Sequence, residues 1–473
     1  MVADSINYTK VLPLAVESRS RRRQFLPENG QRFSASGNNI IRIPVSASSL
    51  LDTKTSYVKF TVDNTTGQGM GVDFGGGSGF IKRLRILQGG TVCSDVQEYN
   101  RLVSAVLLPS QTDTSRLSTR SITDGQRYLN SAAGGAALTE LDPAIQAEMS
   151  GASPSTCSNA HDQILAAQDA IFCIPLVNGI LGSTQNKLVP LQLLNSSPVV
   201  IELTLAPTLD VGTFTGAPAA DYEVHQISYV ASLVEVGPEV DQHLREVQSL
   251  TGGRLILNGV DYQHYTGNIS DNATGLVALD IPCRRRSIKD LLWVGSSTLF
   301  AGAALQRDRY NLSYGGHLNI LEYSVKIGQT LYPPTPVDCN FVGANGQARS
   351  QAMEELAKCF GQVSSVHGQG SLTRVNYLST NGNNAGMAIE SAGGAITRTL
   401  HFGPMGLSLE SFGPDGKGGR AIESGIDTAS QSKPMTLQLN IATALAEPVN
   451  VDIFCVYDTL YYIDQVGNLR VSM

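Results

Sequence analysis

Charge is scarce in this chain. Only 16% of its 473 residues are Asp, Glu, Lys or Arg, and the net charge is −7. That balance argues against a protein that coats nucleic acid along its whole surface, which needs an excess of Lys and Arg. A neutral, polar surface suits contact with copies of itself better than electrostatic steering of a charged ligand. No apolar run reaches the ~18 residues of a membrane-spanning helix. The opening residues, MVADSINYTKVLPLAVESRSRRRQF, lack a basic leader followed by an apolar core, so no secretory signal is expected. Seven cysteines (Cys93, Cys157, Cys173, Cys283, Cys339, Cys359 and Cys455) form no C-x-x-C pair. An odd count without such pairs predicts free buried thiols in a protein folded inside a cell. Triplets such as Asn195-Ser196-Ser197 and Asn272-Ala273-Thr274 then read as unmodified loops.

Catalytic signatures are absent too. There is no H-E-x-x-H, no G-x-S-x-G and no Cys/His cluster at zinc spacing. The seven histidines (His161, His225, His243, His264, His317, His367 and His401) are dispersed. A metal site would need folding to gather His317 or His401 with Cys339 or Cys359. Asp261, Asp271 and Asp280 read as loop acids, where calcium is an unspecific alternative. The loop Phe74-Gly75-Gly76-Gly77-Ser78-Gly79 lacks a following Lys-Ser/Thr pair and precedes a strand, so it is no phosphate-binding loop. Its glycines are expected to supply turn conformations closed to other residues.

What the chain has instead is 47 glycines and many short apolar runs. A chain of this length splits into more than one core, since single cores stop growing near ~250–300 residues. The organising stretch is residues 170–205, AIFCIPLVNGILGSTQNKLVPLQLLNSSPVVIELTL, with Lys187 and Glu202 its only charges. Phe172, Ile174 and Leu176, then Leu188, Leu191 and Leu193, then Val199, Ile201, Leu203 and Leu205 recur at or near spacing two, with turn residues between the runs. That pattern predicts the closing strands of one β-barrel or sandwich, with a second following.

Residues 1–35 predict an extended arm, with Lys10, Arg19, Arg21, Arg22, Arg23 and Arg32 against Asp4, Glu17 and Glu28. Lys10, Arg19, Arg21, Arg22 and Arg23 are the candidate contacts to an anionic partner: phosphate, lipid headgroups or an acidic neighbour. A solvated tail is the plainer alternative. Strands are predicted at 40–45, with Pro44 marking an edge, at 57–63 and at 80–87. A helix is predicted over 95–107, with Asp95 and Glu98 as a capping pair. Residues 110–169 read as a long excursion holding short helices, one starting at Asp142-Pro143. A long strand follows at 222–236, and the charged segment 237–251 marks a boundary. The second half restarts at Leu255-Ile256-Leu257 and continues at 277–282, 287–294 and 317–326. Arg284-Arg285-Arg286 reads as a solvated turn, Trp293 as core, and Tyr332-Pro333-Pro334 as a strand end. A second helix falls within 348–360, loops fill 361–430, and strands close the chain at 435–441, 449–457, 460–463 and 469–471. The halves rhyme: Ile43-Pro44 and Ile281-Pro282 each end a strand, and a helix follows later in each half. One unit of roughly 240 residues used twice would give this pattern.

The segment FCIPLVNGILGSTQNKLVPLQLLNSSPVVIELTL resembles the one closing the first barrel in double jelly-roll major capsid proteins of eukaryotic double-stranded DNA viruses, of the polinton-like and virophage type. FIKRLRILQGGTVCSDVQEYNRLVSAV resembles the strand-then-helix of that barrel, and YSVKIGQTLYPPTPV with AMEELAKCFG resembles the same place in the second. SGIDTASQSKPMTLQLN with VDIFCVYDTLYYIDQVGNLRV resembles the C-terminal strands. The resemblance covers residues 35–473. It implies an all-β fold of two tandem eight-stranded jelly-roll barrels, with short helices in the excursions between strands. Residues 1–35 would be a basic N-terminal arm, 36–236 the first jelly roll, 237–251 a linker and 252–473 the second jelly roll.

The implied role is that of a major capsid protein, neither an enzyme nor a holder of cofactors. Its homotrimers, pseudo-hexagonal in outline, would tile an icosahedral shell around double-stranded DNA. Its partners would be copies of itself, penton and minor capsid proteins, and viral DNA or an inner membrane at the arm, with no small-molecule substrate. It would sit in the virion, after synthesis and assembly inside the host cell. A jelly-roll carbohydrate-binding fibre or spike is the alternative. It would want exposed aromatic platforms, whereas aromatics are 6% here with one Trp. A β-sandwich hydrolase would want a carboxylate pair in a groove.

Overall fold

The structure, a computed structural model, describes residues 18–72, 75–107, 120–125, 163–164, 166–182, 187–214, 218–297, 312, 320–339, 350–360, 387–390, 397–400, 403–412, 420–422, 425–430, 433–445 and 448–472. The first half contributes β1 (Ser18–Phe25), β2 (Ile40–Val45), β3 (Leu50–Asp63), β4 (Ile81–Gln88), β5 (Thr91–Gln97), β6 (Asp169–Ile174), β7 (Val199–Leu205) and β8 (Glu223–Val236). The second contributes β9 (Arg254–Ile269), β10 (Gly275–Ile281), β11 (Ile288–Ser297), β12 (Ile320–Ile327), β13 (Thr330–Asp338), β14 (Met405–Ser408), β15 (Met435–Ile441) and β16 (Val449–Asp464).

The two sets are wired alike, and every pairing is antiparallel. In the first half one sheet runs β1-β8-β3-β6 and the other β2-β7-β4-β5. In the second the orders are β9-β16-β11-β14 and β10-β15-β12-β13. Each half therefore pairs its first strand with its last, as a jelly roll does. Equivalent strands start at residues 50 and 288, 81 and 320, and 199 and 435. The unit of roughly 240 residues expected from the Ile-Pro rhyme is thus visible in the strand wiring. Ile43-Pro44 and Ile281-Pro282 end equivalent edge strands, where a missing N–H costs no ladder bond.

The stretch 170–205 carries the chain from one sheet to the other. Phe172 and Ile174 on β6 and Val199, Ile201, Leu203 and Leu205 on β7 are all buried. Its middle run is no full strand. Val189–Pro190 makes a short pair with β3, and Leu191–Leu193 turns as a 3-10 helix with Leu191 and Leu193 buried and Leu188 outside.

One sheet is covered on both faces. On β11 and β16, Leu291, Trp293, Ile453 and Cys455 enter the second barrel's core. Their alternates Leu292, Val294, Phe454 and Val456 join the cluster that fills the first barrel. Two-sided burial explains why these strands read as continuous apolar runs, DLLWV and IFCVY, without alternation. The seam between the barrels is apolar over this patch. Trp293 is fully buried and meets Tyr323 edge-to-face at 4.8 Å.

Several expectations are corrected. Within residues 1–35, expected as an extended basic arm, the chain joins a sheet from Ser18 on: β1 pairs with β8 from Ser18↔Val236 to Phe25↔Tyr229, and Arg32–Ser34 pairs with the same strand. Phe25 and Phe33 are buried and anchor it. The first helix starts at Tyr99, not Asp95. Asp95 lies on β5 opposite Arg85 and is held by Arg83 at 2.7 and 2.6 Å, so the cross-strand ion pair takes the residue expected as a cap. Glu98 (φ 48) makes the turn into α1 (Tyr99–Arg101), which continues as a π-helical turn over Leu102–Leu107. The boundary segment, expected as helical or irregular, agrees: it is the helix α2 (Pro238–Leu250), with Pro at its start. The expected second helix is α3 (Ser350–Cys359). Pro333 and Pro334 lie within the edge strand β13 and do not end it. The glycine loop is buried: Gly76–Phe80 forms a 3-10 turn, Gly76 has φ +58, and a Cβ there would strike Asp124 O at 2.0 Å. Most of the excursions 110–169 and 361–430, including Asp142-Pro143, lie outside the described residues.

Candidate functional site

Two features stand out: a basic edge strand and the polar groups locked into the seam. Sequence alternation puts Arg19, Arg21 and Arg23 on one side of β1 and Arg22 on the other. With a rise of ~3.3 Å per residue, Arg19 and Arg23 sit roughly 13 Å apart. All seven residues from Ser18 to Gln24 are exposed. Arg21 Nε reaches Glu235 Oε1 at 2.9 Å, and Arg23 lies over the Phe25 ring at 4.8 Å. Arg19 and Arg22 have no ion-pair partner among the described residues. The structure therefore brings four of the five candidate arginine and lysine contacts onto one strand with two uncompensated charges; Lys10 lies outside the described residues.

Some basic residues elsewhere are held by partners across the strands. Glu202, buried on β7, accepts from Arg42 at 2.9 Å and from Arg85 at 2.8 Å, one on each neighbouring strand. Arg285, expected in a solvated turn, stacks on Tyr457 at 4.4 Å and donates to Gln263 at 3.1 and 2.8 Å. β1 differs in density: it carries four arginines within five residues, and Arg19 and Arg22 have no ion-pair partner among the described residues.

The seam holds groups that sequence reasoning missed. Arg101 on α1 is buried; its Nε lies 3.3 Å from Asp452 Oδ2, and its guanidinium donates to the carbonyls of Leu312 and Gly295. Asp452 also meets His264 Nε2 at 3.0 Å. Burial alone would raise the Asp452 carboxyl, but the His264 hydrogen bond and the Arg101 charge outweigh it and hold it below its ordinary value. Asp261 is no loop acid: it sits mid-strand on β9, fully buried, and accepts from Tyr461 Oη at 3.2 Å. Burial pushes its pKa up to about 6, against hydrogen bonds from the Tyr461 hydroxyl and the Tyr262 N–H. Gly259 beside it has no room for a Cβ, which would meet Gly179 O of the first barrel at 2.3 Å. The sequence signal was a charged residue inside an apolar strand, as in VDIFCVY.

Among the described residues no group of three or more His, Cys, Asp or Glu stands ready to hold a metal ion. His317 and His401 lie outside the described residues, so their expected gathering with Cys339 or Cys359 does too. No described helix is long and apolar enough to cross a membrane.

No protein-family model matches the sequence, and no curated protein matches it either. Solved structures do. The PBCV-1 virus capsid, in a quasi-atomic model, superposes with a TM-score of 0.57 at 12% identity, covering 98% of this chain and 99% of that one. The Faustovirus major capsid protein gives 0.57 at 8% identity over 96% and 92%. The mavirus major capsid protein gives 0.51 at 11% identity over 100% and 95%. The chain has the double jelly-roll fold. The structural neighbours that share it are viral major capsid proteins.

Proposed function

We propose that this chain is a major capsid protein of a double-stranded DNA virus, acting as a pseudo-hexagonal homotrimer that tiles an icosahedral shell. The observation that carries this is the duplicated wiring: two eight-stranded barrels with the same strand order, joined by a shared hydrophobic cluster. Three such chains around one axis supply six similar barrels, a near-sixfold outline that fills a plane. The low charge suits broad contacts between like subunits, and obligate interfaces of this kind commonly exceed ~2,000 Å². The likeness to capsid structures over nearly the full length of both chains supports the same reading.

In this account β1 faces the interior, and Arg19, Arg21, Arg22 and Arg23, with Lys10 ahead of them, meet viral DNA or membrane headgroups. Penton and minor capsid proteins occupy the positions a pseudo-hexagonal trimer cannot. The protein is made and assembled inside the host cell and resides in the virion. The fibre or spike reading has less support, because Trp293 is core and no aromatic is among the strongly exposed large apolar side chains of the described residues. Negative-stain images of the concentrated protein test the proposal. Hexagonal particles or closed shells are the expected result; elongated fibres or featureless single chains at every concentration would overturn it.

A further inference from the structure

The second barrel holds an amine and two carboxylates together in a way the capsid role does not use. Lys289 lies at the start of β11, just ahead of its run of core residues. The strand bulges here. Ile288 pairs with Tyr457 and Asp290 with Val456, so Lys289 is the extra residue. A bulge re-aims the side chain it carries. Lys289 Nζ ends 3.0 Å from Glu410 Oε1 and 3.3 Å from Asp458 Oδ1. Backbone bonds fix both carboxylates. Leu409 N donates to Lys289 O at 2.8 Å, which holds Glu410 just past the end of β14, and Asp458 N donates to Ser287 O at 3.0 Å. The Lys289 side chain is 11% exposed and that of Glu410 0%, against 28% for Asp458. The amine is therefore shut in, and the one opening to solvent is on the Asp458 side.

A surface ion pair leaves its long side chains free to part and exchange with water. Here three strands confine the groups, and an amine held against a carboxyl reacts as if at very high concentration. The Asp458 carboxyl is also oriented. Ser287 Oγ donates to its Oδ2 at 2.6 Å, and the Gly425 N–H donates to Ser287 Oγ at 2.9 Å. Oδ2 thus has a donor in place where negative charge would gather if Nζ attacked the carboxyl carbon. Oδ1 faces the amine instead. Glu410 touches Nζ and can carry its protons. Nucleophile, carboxyl and proton carrier are the parts that an amide condensation needs.

We propose that Lys289 and Asp458 condense into an intramolecular isopeptide bond, with Glu410 carrying the protons and Ser287 polarising the carboxyl. Glu410 takes a proton from the Lys289 ammonium. The freed electron pair on Nζ attacks Asp458 Cγ, and the N–C bond forms. The bond from Cγ to Oδ1 then breaks. Oδ1 leaves as water with two protons that came from Nζ by way of Glu410. One ammonium and one carboxylate become one neutral amide and one water, and nothing is oxidised or reduced. The reaction also removes a charge pair whose desolvation weighs against folding. The bond ties β11 to β16, the strands whose alternate residues pack against the first barrel. It forms within one chain and does not depend on how the chains assemble.

The test uses the full chain, purified in its native state, then unfolded in denaturant with reductant and weighed by mass spectrometry. The expected result is a mass one water below that of the sequence. A tryptic digest should hold a branched peptide joining Lys289 to Asp458, with no cleavage after Lys289. Glu410→Gln and Lys289→Arg should each restore the full sequence mass and leave the two segments in separate peptides. The wild-type map decides the matter whether or not those variants fold. The full sequence mass after long incubation of the native chain, with Lys289 and Asp458 unlinked, would overturn the proposal. So would a lost water that maps to a succinimide elsewhere while Lys289 and Asp458 stay free.

Discussion

Replacing Asp261 by Asn removes one buried ionisable group from the seam while keeping its shape. In the folded chain the carboxyl has a pKa of about 6 against an ordinary 3.8, with burial the main cause. A shift of that size corresponds to roughly 3 kcal/mol at 1.36 kcal/mol per pH unit. The folded-state value is raised, so the stabilising form is the neutral acid. Its contribution is complete below pH ~4 and is lost as pH climbs through ~6. At pH 8 the wild-type seam therefore holds an ionised carboxylate surrounded by Tyr461, Tyr262 and the backbone of Gly179. Asn accepts from the same Tyr461 hydroxyl and Tyr262 N–H and carries no charge. The variant should gain up to about 3 kcal/mol on wild type between pH 4 and pH 8, read as the denaturant midpoints of both proteins at each pH. A gap between variant and wild type that is the same at both pH values would refute the reasoning. It would mean that Asp261 does not titrate across this window.

Other perturbations separate the remaining parts of the account. Trp293→Ala empties a fully buried site against Tyr323 and should cost about 3–5 kcal/mol, seen as a lower unfolding midpoint; an unchanged midpoint would count against a packed second core. Arg19→Gln with Arg22→Gln should leave fold and solution mass intact. The slope of log K against log salt for DNA or anionic vesicles should fall by about 2, the two lost phosphate contacts, and identical slopes would remove β1 from the anion site. Deleting residues 1–17 spares β1 and should leave assembled trimers while impairing shell closure. Deleting 1–35 strips an edge strand together with buried Phe25 and Phe33, at about 3–5 kcal/mol for each Phe, so it should lower stability before assembly is even reached. Equal stability of the two truncations, by thermal or denaturant unfolding, would contradict the pairing of β1 with β8.

Strands with one buried face were legible in the sequence. Met435, Leu437, Leu439 and Ile441 alternate with polar residues, and β15 has the limits that alternation predicts. β2 and β7 read the same way. Elements whose burial depends on distant partners were not legible. β9 runs for 16 residues, but its polar second half, GVDYQHYTGN, shows no alternation, because β16 and the first barrel cover it instead of a simple core. β1 was hidden for the opposite reason. Seven of its eight residues face solvent, so no apolar period marks it, and only Phe25 ties it down. Asp95 shows how two local rules compete: its place three residues before Glu98 matches a cap, but a bidentate Arg83 across the strand decides its role. In the candidate site the arginine block was plain from composition. The seam groups Arg101, Asp452, His264 and Asp261 were not, since their partners lie up to several hundred residues away in the chain.

Solution mass by light scattering, measured over a range of concentrations, tests the central claim most directly. The chain has a mass of 50.3 kDa, and the account predicts a stable species of three times that value that persists on dilution, with larger closed assemblies at high concentration. A single-chain mass at every concentration, or a stable dimer, would contradict the pseudo-hexagonal trimer and with it the proposed capsid role.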